Sequence, residues 1–435
     1  MRILLLSDDC NPDWPSLPVV SYKFARAIAD RAEVVVATQV RNRPNLERVG
    51  LGSAEIVYLD TEYIAAPLYR FAQILRGGSD LGWTLQMAMN YPSYLAFEWE
   101  VWRHFRTALV SGQFDLVHRI SPMTPTLPSL IAKRSPVPFI LGPLNGNLPW
   151  PSAFQSEQKR EREWLSRFRQ AYKWLPFYRS TYHHAQAILA AFDHTFNDLP
   201  HSAQAKAINF PEVGIDPELF SFPVRPVPQQ LTFLYVGRLV PYKMPEVVVQ
   251  AFAHSPVLQQ HRLIIVGEGP ERSRLETLIT AAQLEHCVTL TGQVPQAEVG
   301  NLMRQADVFA FPSIRELGAG VVIEAMASGL ACVVVDYGGP ATLIQPDRGI
   351  TIPLSHPAQL TDHFRQTLED LAQQPDRVRQ LGLAAYQHAI QYYTWQVKAE
   401  KMMQIYEWVL HRRPAKPNFW QANPILPTPS PWVNS

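Results

Sequence analysis

Glu316-Leu317-Gly318-Ala319-Gly320-Val321-Val322-Ile323-Glu324-Ala325-Met326-Ala327-Ser328-Gly329 reads as a strand exit, a glycine-bearing loop and a helix. The run before it, Ala306-Asp307-Val308-Phe309-Ala310-Phe311-Pro312, is short and apolar, as a buried strand requires. After the loop, Val321, Ile323 and Met326 recur at helical spacing, Gly329 marks the helix end, and Ala331 to Val335 starts the next apolar run. Strand, helix and strand in this order predict parallel pairing. Glu316 then stands in a loop at the carboxyl end of a strand, and Glu324 about one turn into the helix. A helix start offers unpaired N–H groups and roughly half a positive charge. Gly318 and Gly320 let a ligand come close to that backbone. Paired carboxylates suit a polyol, since each accepts hydrogen bonds from neighbouring hydroxyls. The N–H groups suit a diphosphate.

The alternation continues on both sides. Thr232 to Gly237 is a strand, and Arg238-Leu239-Val240-Pro241-Tyr242-Lys243 is its exit loop. Gln260 to Val266 is the next strand, ending in Gly267-Glu268-Gly269-Pro270. That turn is not a dinucleotide fingerprint, because Arg272 holds the place of the third glycine; it reads as tight backbone. Val288 to Thr291 is a short strand, followed by Gln293 and Val294. Pro357 to Tyr392 and Trp395 to Leu410 read as helices.

Glu316, Glu324, Ala325, Met326, Gly329 and Gly338-Gly339-Pro340 together resemble the Glu-x7-Glu signature of retaining, nucleotide-sugar-dependent glycosyltransferases (glycosyl transferases group 1, GT4-like, GT-B fold). The loop from Gly237 to Lys243 resembles the same family's Gly-Arg-Leu…Lys element. The resemblance implies an α/β chain of two Rossmann-like doubly wound domains facing across a cleft. It implies that Arg238 and Lys243 converge on the donor diphosphate, with Gly318, Ala319 and Gly320 beside it. Glu316 is implied to contact the donor sugar, Glu324 the ribose, and Val294 the nucleobase. Fixed cations fit the chemistry: negative charge grows on the leaving diphosphate, and a cation in a partly dry site stabilises it more than the ground state. No Asp-x-Asp triplet occurs, so no metal and no cofactor beyond the sugar nucleotide is expected. Rival readings are an epimerase or phosphorylase on the same fold, or a non-enzymatic nucleotide-sugar binder.

In the first half, Arg2 to Leu6 and Glu33 to Thr38 read as strands around a helix from Val19 to Ala32. The loop Ser7 to Pro18 carries Asp8, Asp9 and Asp13, which either bind a hydroxylated acceptor or serve as turn residues. Leu51 to Trp102 is aromatic with little periodic signal, and Phe97 to Leu109 looks helical. Phe114 to Ser121 holds a strand read as ending on His118. By resemblance His118 contacts the transferred sugar's hydroxyls; otherwise it is a satisfied core histidine. Asn145 and Asn147, in the loop after the strand Pro138 to Leu141, are acceptor-side candidates. Glu157 to Ser180 has seven Lys/Arg against three Glu, with Trp164, Phe168 and Tyr172 at helical spacing. It is either a membrane-surface helix, with a lipid-linked acceptor, or a helix packed on the core.

The 435 residues suit two or three domains. The expected division is 1–210, a Pro-rich linker 211–230, a donor domain 231–392, a helix 393–412 crossing back to the first domain, and a Pro-rich tail 413–435. Lys+Arg 39 against Asp+Glu 38 gives no field that draws nucleic acid. Cys10, Cys287 and Cys332 form no metal-spaced cluster and suggest a reduced, cytoplasmic setting, with contact at the inner face of a membrane left open. The amino-terminal apolar run is too short for a signal peptide, and no stretch is long enough to span a bilayer.

Overall fold

Central strands of a parallel sheet are covered on both faces, so they must be apolar throughout. Val308–Phe311 and Ala331–Val335 meet that demand, every residue being fully buried. A computed structural model describes residues 1–64, 67, 83–160, 170–223 and 228–420, with backbone only over 83–90. It divides into two compact units, each built on one parallel sheet. Within the described residues the first unit holds 1–147, 170–214 and 395–420, and the second holds 148–160 and 215–394.

The first sheet comprises β1 (Arg2–Ser7), β2 (Glu33–Gln39), β3 (Glu55–Leu59), β4 (Leu116–Ser121), β5 (Phe139–Leu144), β6 (Ala187–Ala190) and β7 (Ala207–Asn209). Its order is β3-β2-β1-β4-β5-β6-β7, so the direction of winding reverses between β1 and β4. The second comprises β8 (Thr232–Val236), β9 (Arg262–Val266), β10 (Val288–Gly292), β11 (Val308–Phe311), β12 (Ala331–Val335) and β13 (Gly349–Ile352). Its order is β10-β9-β8-β11-β12-β13, with the reversal between β8 and β11. Ligands of doubly wound sheets bind outside the carboxyl ends of the strands at such reversals.

Several sequence readings change. The aromatic stretch after Leu51 hides β3, a five-residue edge strand whose first residue is exposed and whose next three are only partly covered. The single helix expected over Pro357 to Tyr392 is two, Pro357–Ala372 and Pro375–Tyr393. Gln374, preceding Pro375, sits at φ −131°, since a proline pushes its predecessor out of helical backbone. Residues 148–160 group with the second unit, although the expected first domain ran unbroken to 210. The chain passes between units at Gly214 and again at Thr394, and Ile215 pairs with Thr394 in a parallel bridge.

The helix Trp395–Val409 packs on the helix Leu17–Ala29 of the first unit. Lys398 is fully buried there: its ammonium donates to Pro211 O and lies 4.2 Å from the centre of the Phe210 ring. Among the described residues no helix is long and apolar enough to cross a membrane. Residues 161–169, which carry Trp164 and Phe168, lie outside the described part, as do 224–227 of the linker and 421–435 of the tail.

Candidate functional site

The reversal in the second sheet brings together the exit loops of β8 and β11. Lys243 closes a 3-10 turn, Pro241–Lys243, directly after β8's loop. Met244 follows at φ 45°, a left-handed conformation that glycine would take more cheaply; its buried side chain offsets that cost in the core. The Lys243 ammonium is 2.8 Å from Glu316 Oε1, with side chains 12% and 14% exposed. It also lies 5.1 Å from the centre of the Phe311 ring. Ser313 Oγ donates to Glu316 Oε1 at 3.2 Å. A cation held between a carboxylate and a ring face keeps its place without a ligand. Arg238 donates to the hydroxyl of Tyr242 at 2.9 Å.

The Glu316 loop is shaped by close backbone approach. A Cβ on Gly338 would lie 2.5 Å from Glu316 O, and one on Gly339 2.6 Å from Leu317 O. Gly339 N–H donates to Glu316 O at 2.9 Å. Ala319 follows at φ 45° and opens the helix Gly320–Ala327 with no side-chain cap. The N–H groups of that helix start are therefore not taken by a capping side chain. Glu324, on this helix, accepts from Gln296 Nε2 at 3.1 Å. Gln296 begins the helix Gln296–Gln305, just past Val294, so the loop after β10 reaches the same helix. The structure thus gathers Lys243 with Glu316, and Glu324 with the loop of Val294. Tyr242, Ser313, Phe311 and Gln296 also belong to the site. Reading Lys243 and Glu316 as members of opposed loops draws attention to their sequence neighbours, but Gln296 carries no local signal.

The first unit corrects the reading of His118. β4 runs on to Ser121, so His118 lies in mid-strand rather than at its end. It is fully buried, with Nε2 2.7 Å from Gly142 O and Nδ1 2.6 Å from the Tyr406 hydroxyl. A carbonyl only accepts, so Nε2 carries the proton and Nδ1 accepts from Tyr406. Neither nitrogen remains for a sugar hydroxyl. Burial lowers its pKa from 6.5 to about 4. Below pH 6.5 the unfolded chain takes up a proton that the folded chain refuses, so this contribution is complete above 6.5 and lost as pH falls towards 4. A lowering of this size is worth on the order of 3 kcal/mol. Denaturant titrations from pH 7 to 4 are expected to show a steeper loss of stability in the wild type than in His118→Asn. Parallel profiles would remove the effect from His118.

The acceptor-side candidates are tied internally. Asp9 is 2.8 Å from Arg41 and Asp13 is 2.5 Å from Arg48. Asp13 N–H donates to Asn11 Oδ1 at 3.0 Å, a turn contact. Asp8 accepts from Gln39 at 2.8 Å, and burial, opposed by Arg41, raises its pKa to about 6. Asn145 donates to Glu212 at 2.5 Å and accepts from His194 at 3.2 Å. Asn147 donates to the Tyr172 hydroxyl at 3.2 Å. Arg41 and Arg48, which hold the acidic loop, were not legible as its partners in the sequence.

Residues 218–387 match the family described as Glycosyl transferases group 1. A D-inositol 3-phosphate glycosyltransferase of Corynebacterium diphtheriae is 32% identical over 187 residues, covering 40% of this chain and 41% of that protein. A GDP-mannose-dependent alpha-mannosyltransferase of Mycobacterium tuberculosis is 31% identical over 180 residues, covering 41% and 43% respectively. The chain thus aligns with less than half the length of these curated relatives. The solved sucrose-phosphate synthase of Thermosynechococcus elongatus has the same fold, with TM-score 0.63 at 18% identity over 95% of this chain and 100% of that one.

Proposed function

We propose, from the match of residues 218–387 to the glycosyl transferases group 1 family, that the chain moves a sugar from a nucleoside diphosphate to a hydroxyl acceptor, with retention of configuration. The observation that carries this reading is the Lys243–Glu316 pair at the reversal of the second sheet, beside an uncapped helix that bears Glu324. A relative named as GDP-mannose-dependent supports a sugar nucleotide as donor.

In this reading Lys243 and Arg238 neutralise the diphosphate, which also meets the N–H groups around Gly318, Ala319 and Gly320. No metal is then required. Lys243 and Ser313 both contact Glu316 Oε1, so Oε2 is assigned to hydroxyls of the donor sugar. Glu324 takes the paired ribose hydroxyls, and Val294 packs on the base. The bond from the sugar's anomeric carbon to the diphosphate oxygen breaks, and the bond to the acceptor oxygen forms on the same face. The acceptor's proton passes to the departing diphosphate. Stabilising that leaving group is the protein's largest contribution, because the cations are in place before charge develops. Acceptor binding is assigned to the first unit, with a saccharide or lipid-linked saccharide as acceptor.

A thermal-shift screen over UDP-, GDP- and ADP-sugars tests the donor. A ligand that binds only the folded state stabilises it by about 2.7 kcal/mol at a hundredfold excess over Kd and so raises the melting temperature. One of the three is expected to stand out, and none doing so would sink the reading. NMR of the product reports the anomer; sugar released as an epimer, or as sugar-1-phosphate from free phosphate, would replace transfer by a rival chemistry. Flotation with anionic vesicles tests surface contact by 157–180, and no association at low salt would remove it.

A further inference from the structure

Residues 148–160 lie in sequence between β5 and β6 of the first sheet, yet they belong to the second unit and cross the exit loops of β8, β11 and β12. Beyond β12, Tyr337 donates its hydroxyl to Pro149 O at 3.0 Å. Beyond β11, Arg315 donates from Nε to Leu148 O at 3.4 Å and lays its guanidinium 5.1 Å from the centre of the Trp150 ring. Trp150 in turn meets Tyr242 edge to face, ring centres 6.4 Å apart at 89°. Tyr242 precedes Lys243 in the loop beyond β8, and its hydroxyl is the acceptor for Arg238. Its carbonyl accepts from Ile314 N–H at 3.0 Å, which ties the two loops directly. The far end of the strap is anchored: Phe154 is fully buried, and Arg160 pairs with buried Glu271.

We propose that Trp150 is a positioning residue for the donor site. It holds Tyr242, and through its hydroxyl Arg238, while its ring carries Arg315, the residue before Glu316. The inference rests on the donor reading above. Its physical basis is entropic. Arg238 is an exposed, many-rotamer side chain, and ordering it in advance removes that cost from ligand binding. A T-shaped aromatic contact fixes Tyr242 in both position and tilt, which a plain apolar neighbour does not.

The test is a cycle of Trp150→Ala, Arg238→Ala and the double variant, titrated with UDP, GDP and ADP by calorimetry. Trp150→Ala is expected to weaken the diphosphate that the wild type binds by roughly fivefold to tenfold, and to add nothing once Arg238 is gone, as coupled residues do. Tyr242→Phe keeps the ring and removes only the hydroxyl, so it is expected to match Trp150→Ala. Trp150→Phe is expected to recover most of the loss. A purely structural ring gives a different result: Trp150→Ala lowers the melting temperature while the folded fraction binds as the wild type does, or the two losses add in the double variant. Either overturns the proposal. Wild-type binding weakened by Arg238→Ala but untouched by Trp150→Ala removes this inference alone. No wild-type binding to any of the three removes the donor reading and this inference with it.

Discussion

Lys243→Ala is expected to weaken nucleoside diphosphate binding by about tenfold to a hundredfold, the range for removing a charge-assisted contact worth ~1.5–3 kcal/mol. The transfer rate is expected to fall further, by roughly a hundredfold to a thousandfold, because the leaving group gains charge on the way to the transition state. Lys243 is fixed before any ligand arrives, between Glu316 and the Phe311 ring. The substitution also strips a largely covered Glu316 of its cation, leaving Ser313 as its hydrogen-bond donor. An unpaired carboxylate in that place costs stability, so binding must be measured well below the variant's melting temperature. Lys243→Arg keeps the charge but not the compact ammonium that fits between carboxylate and ring, and is expected to be intermediate. Calorimetry gives Kd, and product formation at saturating donor gives kcat. A Lys243→Ala protein that binds the diphosphate as tightly as the wild type would end the assignment of Lys243 to phosphate.

Gly267→Ala is expected to be the most damaging conservative change to stability. Its Cβ would lie 1.9 Å from Gly237 O and 2.9 Å from Gly237 C, both backbone atoms. The residue also sits at φ +141°, where a side chain is strained regardless of space. Relief requires the exits of β8 and β9 to separate. That opens Gly237 N–H to Val266 O at 3.0 Å and Leu239 N–H to Glu268 O at 2.8 Å, the bonds that flank Arg238. A loss of at least ~3 kcal/mol is expected, within the upper range for overpacking and backbone strain. For a domain of this size that is roughly 6–12 °C in Tm. Gly112 supplies the control, since it has φ +72° and nothing within 4 Å of its missing Cβ. Gly112→Ala is expected to cost only the backbone strain, about 1 kcal/mol. Equal melting temperatures for the two variants would show that the close approach at Gly267 is not a real constraint.

Lys243 and Glu316 each sit in the exit loop of a strand that is legible in the sequence. Gly267-Glu268-Gly269 was readable as tight backbone, but what it is tight against was not. Gly237 O and Leu239 O, the atoms that fill the spaces, come from the exit of a strand about thirty residues earlier in the chain. His118 shows the limit more sharply. The apolar run around it marked a strand, yet the strand's length and its neighbour Tyr406 decided that the ring lies in the core. Tyr406 is 288 residues away, on a helix whose apolar stripe names no partner.

The sequence by itself determined most of the order of strands and helices, with β3 and the break at Gln374 as exceptions, together with the loops at which chemistry-bearing residues emerge and the glycines those loops need. These follow from local rules: hydrophobic period, capping and backbone freedom act within one or two turns of chain. Only the tertiary structure decided which loops meet at the reversal of each sheet, that Arg41 and Arg48 clasp the acidic loop, that His118 is spent inside, and that residues 148–160 brace the second unit. Those outcomes depend on shape and charge matching between segments far apart in the chain. No short-range periodicity encodes such matching, because a side chain's neighbours across a packed interface are fixed only once both elements have found their place.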